Sequence, residues 1–241
     1  AFIDQLRPQD KVMVVSFDQE VHMLCEATSD RQAIYRAIKR TKISTGTSLY
    51  EAVDLVMNDR LRRIEGRKAI ILFTDGVDTT SRRSNDLRNV DDAMELDALI
   101  YPIRYDTFAD VQTMKGGTQP TIDIPIPGGT TVPVRIPVNT KPNDTMQQGT
   151  TVEEYERARE YLDQMALRTG GRLYEAMTLG NLAAAYSKIA SELREFYSIG
   201  YYPQTERVPG KKTQIKVRVD REGLSVRTRE GYITPKKTKI N

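Results

Sequence analysis

The sequence predicts an α/β protein: a doubly wound, mostly parallel sheet flanked by helices, with a small antiparallel β addition at its C-terminal end. Three observations carry this. Strand and helix patterns alternate over residues 1–195, the order that builds parallel sheets. Ala69-Ile70-Ile71-Leu72-Phe73 is a continuous apolar run, the pattern of a strand buried on both faces, and it stops abruptly at the polar turn Thr74-Asp75-Gly76. The tail after residue 205 reads instead as consecutive strands, with charges alternating with Val and Ile in IKVRVDREGLSVRTR.

Taken in order, Phe2, Ile3 and Leu6 share one face of a helix end that Pro8 closes. Val12 to Phe17 is a buried strand, Asp18-Gln19 turns the chain, and Val21 to Cys25 returns as the second arm of a hairpin. Thr28-Ser29-Asp30 offers N-caps to a helix with Ala33, Ile34, Ala37 and Ile38 at helical spacing. Leu49, Ala52, Val53, Val56 and Met57 mark the next helix, where Ser48 and Glu51 have the spacing of a capping box. Thr47 lies at its entry, after Gly46. Strand Lys68 to Phe73 is followed by a helix over 86–98 and a strand from Leu99 to Tyr105.

Residues 107–150 break the pattern. The stretch is rich in Pro, Gly and Thr and has no helical period; IDIPIP and VPVRIPV read as edge strands, since their prolines would deny a central strand its donors. It is an insertion, expected as a hairpin with a disordered margin. Thr151 and Glu154 form a second capping-box pattern, opening a helix that runs to about Arg168 and stops at Gly170-Gly171. Arg172 to Tyr174 is a short strand. Asn181 starts a helix with Leu182, Tyr186, Ile189, Ala190 and Leu193 on its buried face. Phe196 to Tyr202 is a strand ended by Pro203, and the tail supplies strands at 213–219, 224–228 and 232–233. The expected division is an α/β domain over 1–203 and a C-terminal strand extension over 204–241.

Composition narrows the chemistry. No run approaches the ~18 apolar residues of a membrane helix, so membrane insertion is not expected, and AFIDQLRPQD is no signal peptide. The single Cys25 excludes an internal disulfide, and the single His22 excludes a multi-histidine zinc site within one chain. Net charge is +3, but residues 206–241 hold 11 Lys/Arg against 4 Asp/Glu, +7, leaving 25 against 29, −4, for residues 1–205. A basic tail can attract acidic partners or nucleic acid; its alternation with Val and Ile reads as a strand with one wet face, and nucleic acid is not expected.

Asp75 is the candidate functional residue. Ligands of open α/β sheets gather beyond the carboxyl ends of the strands, where it follows Thr74; as an Asp-Gly turn it equally serves as a backbone acceptor.

KVMVVSFDQEVHML, TGTSLYEAV and ILFTDGVDT, in that order, resemble a von Willebrand factor A domain. Gly170-Gly171-Arg172 and Tyr197-Ser198-Ile199-Gly200-Tyr201-Tyr202-Pro203 further resemble the bacterial proteins related to that family. The resemblance implies a metal ion-dependent adhesion site on three loops, with Thr47 and Asp75 as metal ligands, Ser48, Thr74 and Asp78 supporting them, and Mg²⁺, or else Mn²⁺ or Ca²⁺, as the ion. It implies no catalytic residue. The Asp-x-Ser-x-Ser loop that completes such a site does not occur in the chain. Either the polypeptide continues upstream, where the family's first and central strand lies, or another strand, from the insertion, fills that place.

The expected function is therefore a non-enzymatic protein-binding or adhesion module that recognises a partner's acidic residue through the cation. The alternatives are a metal-independent scaffold binding through the insertion or exposed strand edges, and a hydrolase using Asp75. The hydrolase lacks a placed base, and no phosphate-binding glycine loop occurs. The resemblance also suggests an exported bacterial protein.

Overall fold

The structure, a computed structural model, describes residues 2–42, 44–108, 121–125, 131–135, 149, 151–197, 199–203, 208–224 and 226–234. Its centre is a parallel sheet of three strands in the order β3 (Ala69–Thr74), β4 (Leu99–Arg104), β7 (Tyr174–Glu175). The register pairs Ala69 with Leu99 through Thr74 with Arg104, and then Arg104 with Glu175. Three carboxyl ends thus meet at one edge.

Pro102 sits in the middle of β4, where a missing N–H would ordinarily break a ladder. It is tolerated because β7 pairs only with Ile103 and Arg104. Ahead of them, the Ile100 N–H donates to Thr169 Oγ1 at 3.0 Å instead of to a strand.

β1 (Val12–Phe17) and β2 (Val21–Thr28) form a separate antiparallel hairpin, the second arm longer than the sequence suggests. α1 (Arg31–Lys39) packs on it, capped by Asp30, whose carboxylate accepts from the Gln32 and Ala33 N–H groups. β1 and β3 do not pair among the described residues. What spans them is α2 (Leu49–Asp54), with the π-helical turn Leu55–Arg60 and the 3-10 turn Leu61–Arg63 that continue it. Leu49, Val53, Met57 and Leu61 form one core with Leu72 of β3, against which Phe17 of β1 packs. The first element is a 3-10 turn, Phe2–Gln5.

α3 (Asp86–Ala93) is shorter than the expected 86–98; residues 94–96 leave the helix, with Met94 and Leu96 buried and Glu95 exposed. The pair β5 (Thr121–Pro125) and β6 (Thr131–Arg135) is an antiparallel hairpin within the 107–150 stretch. Neither strand pairs with any other among the described residues, so the hairpin does not lie between β1 and β3. Residues 109–120, 126–130 and 136–148, where a disordered margin is expected, lie outside the described residues.

α4 (Val152–Thr169) is the helix that covers the sheet, and Thr151 and Glu154 close its capping box as the sequence predicts. Tyr155, Ala158, Tyr161, Leu162, Met165, Ala166 and Thr169 are its buried stripe, at three- and four-residue spacing. Burying a side chain such as Leu162 or Met165 fully contributes about 1.5–3 kcal/mol each. α5 (Leu179–Glu195) starts earlier than Asn181, because Thr178 is its N-cap and accepts from the Asn181 N–H. It buries Ala185 and Ile189 against Tyr101 and Ile103, and Ala190 is buried as well.

The tail departs most from its pattern. Residues 196, 197 and 199–203 carry no strand, and among the described residues β8 (Lys212–Gln214) with β9 (Gly231–Ile233) is all that forms of the expected hairpin. The second arm is drawn elsewhere: Arg227 Nε donates to the Gly170 carbonyl at the end of α4, and its guanidinium pairs with Glu192 of α5. Arg168 pairs with Glu230 beside it. With 227–230 anchored to the helices by their side chains, residues 216–219 have no cross-strand neighbour among the described residues.

Candidate binding face at the carboxyl edge of the sheet

Aligned strand ends dictate the site. Thr74, Arg104 and Glu175 finish their strands together. Asp75 and the residues after Arg104 therefore emerge side by side. Asp75 is partly buried; its Oδ1 accepts the Val77 N–H at 3.0 Å and its Oδ2 accepts the Thr107 hydroxyl at 2.6 Å. Thr107 in turn lies 2.8 Å from the Tyr155 hydroxyl of α4. Thr74 is buried, and its Oγ1 accepts the Gly76 N–H at 3.0 Å, closing the turn.

Burial pushes the Asp75 carboxyl above its ordinary range, against the opposing pull of Thr107, Val77 and the nearby Arg104 guanidinium. Burial likewise pushes the Tyr155 phenol up to about 12, so it stays protonated as a hydrogen-bonding group. Arg104, only 8% exposed, is held by Asp106 at 3.0 Å and Glu175 at 3.3 Å.

The second loop, residues 44–48, is stapled to the first. Thr47 N–H donates to Thr79 Oγ1 at 2.9 Å, and its carbonyl accepts from Thr79 and Thr80 N–H. Thr47 Oγ1 has no partner among the described residues. Ser48 does not cap its own helix: its hydroxyl donates to the Gln19 carbonyl and meets Thr80 Oγ1, each at 2.7 Å. Glu51 does not complete a capping box either, and its carboxylate accepts from Arg82 and Arg83 N–H, which hold it below its usual range.

The donors at the start of α2 are capped from outside. Tyr50 N–H goes to Asp78 Oδ2 at 2.9 Å and Glu51 N–H to Ser81 Oγ at 3.1 Å. A Ser-x-x-Glu spacing reads as a local box, but the 78–83 loop arrives with better-placed acceptors and takes the role.

The structure thus brings Thr47, Ser48 and Asp78 into one bonded unit, with Thr74 and Asp75 in the turn that leads into it. Thr107, Tyr155, Arg104 and Ser81 were missed by sequence reasoning. Thr107 and Arg104 had a usable signal, since both stand at the carboxyl end of a predicted strand. Tyr155 and Ser81 had none, because only folding carries α4 and the 78–83 loop to these contacts.

One consequence is measurable. A carboxyl raised in the folded state favours its protonated form there. That contribution is fully present below the ordinary carboxylate range and is lost as pH rises through the raised value. Ionised Asp75 is then a net cost at neutral pH. Asp75→Asn, whose amide can accept from Val77 and donate to Thr107, is expected to melt above the parent at pH 7 in EDTA, with the gap closing towards pH 4. Melting curves of both proteins across that range check it; a variant that melts lower at pH 7 contradicts the sign.

Residues 1–77, which include Thr47 and Asp75, match the von Willebrand factor type A domain family. No curated protein sequence matches the chain. Among solved structures, the fold is similar to a conserved hypothetical protein, BatB, from Bacteroides thetaiotaomicron, at 16% identity and TM-score 0.50, over 80% of this chain and 82% of that one. An aerotolerance-related membrane protein from Bacteroides fragilis gives 15% and 0.49 over 81% and 84%. The vWF domain of the type V pili tip protein Mfa5 from Porphyromonas gingivalis gives 17% and 0.44 over 85% and 88%. Among the described residues, no helix is long and apolar enough to cross a membrane. Residues 1–77 are thus similar to the von Willebrand factor type A domain family, and they hold β3, Thr47 and Asp75, while β4 and β7 of the parallel sheet lie beyond the matched segment.

Proposed function

We propose that this chain is a non-enzymatic protein-binding module whose contact face is the loop cluster of residues 44–48, 74–81 and 104–108. In this reading a divalent cation, Mg²⁺ or else Mn²⁺ or Ca²⁺, held by Thr47 and Asp75, offers an open position to a carboxylate on the partner protein. The observation that carries it is the stapling of the two loops by Thr47, Thr79, Ser48 and Thr80, with the Thr47 hydroxyl left without a partner among the described residues. The family match over residues 1–77 supports the protein-binding role.

The donor chemistry fits: a hydroxyl and a carboxylate are hard oxygen ligands, and a cation beside Asp75 would relieve the burial cost of its charge. Their number is small against the roughly six positions of Mg²⁺. Among the described residues no three of His, Cys, Asp and Glu converge. Water and the partner would fill the remainder, so affinity for the ion alone is expected to be weak and to rise when an acidic partner is present.

A non-enzymatic role is favoured by the use made of His22, which lies 3.0 Å from Asp18 in the hairpin turn. We also propose the division into residues 1–203 and a C-terminal strand extension over 204–241, with 107–150 inserted. It is supported by β8 and β9 pairing with each other alone among the described strands.

Melting the chain with EDTA, Mg²⁺, Mn²⁺ or Ca²⁺, beside Asp75→Ala and Thr47→Val, tests the cation. An ion at about 100 times its dissociation constant adds roughly 2.7 kcal/mol, which for a domain of this size is a rise of roughly 5–10 °C. A rise that both variants lose supports the reading. No shift up to tens of millimolar of every ion overturns the cation and leaves a metal-independent scaffold.

A further inference from the structure

Among the described residues, most of the exposed large apolar side chains lie between Tyr197 and Val226, and the segment after β8 concentrates them in a regular way. The ladder of β8 and β9 extends one bond further, from Ile215 N–H to the Glu230 carbonyl at 2.9 Å. Beyond it, the backbone of Lys216 to Val219 makes no backbone hydrogen bond among the described residues. Val217 and Val219 are 38% and 49% exposed and alternate with Lys216 and Arg218. Neither cation pairs with a carboxylate among the described residues; nor does Lys212. The opposite arm does not cover them, being held to α4 and α5 by Arg227 and Glu230.

A run of unmet backbone donors and acceptors with alternating side chains is a template for another strand. We propose that residues 215–219 receive an extended segment of a partner protein by strand addition. That segment alternates apolar and acidic residues, setting Val or Ile beside Val217 and Val219 and a carboxylate beside Lys216 and Arg218. Charge complementarity selects the acidic pattern, because opposite charges across a strand pair stabilise it and like charges oppose it. Single-stranded nucleic acid also offers negative charge, but segment 212–219 has no aromatic side chain on which bases could stack. The site is separate from the Thr47 and Asp75 loops and does not depend on a cation there.

The test uses the full chain and three fluorescent probes in EDTA: a nine-residue peptide alternating Val and Glu, the same peptide with Lys for Glu, and a nine-nucleotide single-stranded DNA. The expected result is binding of the Glu peptide at least about tenfold tighter than the Lys peptide at low salt. The preference inverts in Lys216→Glu/Arg218→Glu, both exposed positions whose change should leave the fold intact by circular dichroism. Val217→Pro, which removes a ladder donor, abolishes binding of either peptide. Equal binding of the two peptides, an uninverted preference, Glu-peptide binding that survives Val217→Pro, or tighter binding of the DNA each overturns the proposal. Loss of the cation effect in Asp75→Ala bears only on the loop face, so the two readings fail independently.

Discussion

Gly171→Ala is expected to lower the melting temperature by about 8–15 °C, corresponding to roughly 4 kcal/mol in a domain of this size. A Cβ on Gly171 would fall inside the Ile100 carbonyl oxygen and lie 2.7 Å from its carbonyl carbon. Both obstacles are backbone in β4, so no rotamer change relieves them. The chain leaving α4 would have to separate from the central strand, taking the Thr169 contact to the Ile100 N–H with it. Differential scanning calorimetry measures the loss, and amide exchange at Ile100 and Tyr101 locates it. A loss below about 1 kcal/mol would show that this junction shifts freely, contrary to close packing.

Gly76→Ala is expected to cost about 2–4 kcal/mol and to disturb the candidate face directly. Gly76 has φ +89°, a conformation that L side chains rarely adopt. An added Cβ would also meet the Ala158 carbonyl oxygen and Leu162 Cδ1, each at 2.9 Å. Strain and clash act together on the turn that aims Asp75. The Thr107 contact to Asp75 and the Val77 N–H bond should both loosen, lifting the burial that raises the Asp75 carboxyl. The melting gap between Gly76→Ala and its Asp75→Asn double variant at pH 7 should therefore be smaller than that between the parent and Asp75→Asn. A gap of undiminished size would mean the turn keeps its shape by moving α4 instead.

Much of the fold was legible because it rests on local signals. The apolar run 69–73, the hairpin at Asp18-Gln19 and the Thr151–Glu154 box each contain their own instruction: uniform burial, a turn, a reciprocal cap. Each lies where the pattern placed it. The position of Asp75 followed from the same logic, since a parallel strand's carboxyl end is where the chain turns outward. Failures arose where a non-local partner outbid a local one. Ser48 and Glu51 have capping-box spacing, yet Asp78 and Ser81 cap α2 and free them to hold Gln19, Thr80 and the 82–83 backbone. Residues 213–219 and 224–228 alternate like a hairpin, yet Arg227 fastens the second arm to Gly170 and Glu192.

By itself, the sequence determined the α/β class, the alternation of strands and helices before residue 195, and the two residues, Thr47 and Asp75, worth testing. Periodicity and turn chemistry are properties of neighbouring residues, and they survive without a third dimension. Only the tertiary structure decided that Thr47 is stapled to Thr79 and Thr80, that Asp75 answers to Thr107 and Tyr155, and that residues 216–219 stand uncovered. Those facts depend on which distant donor reaches an acceptor first, and that is set by how α4 and the loops pack over the sheet.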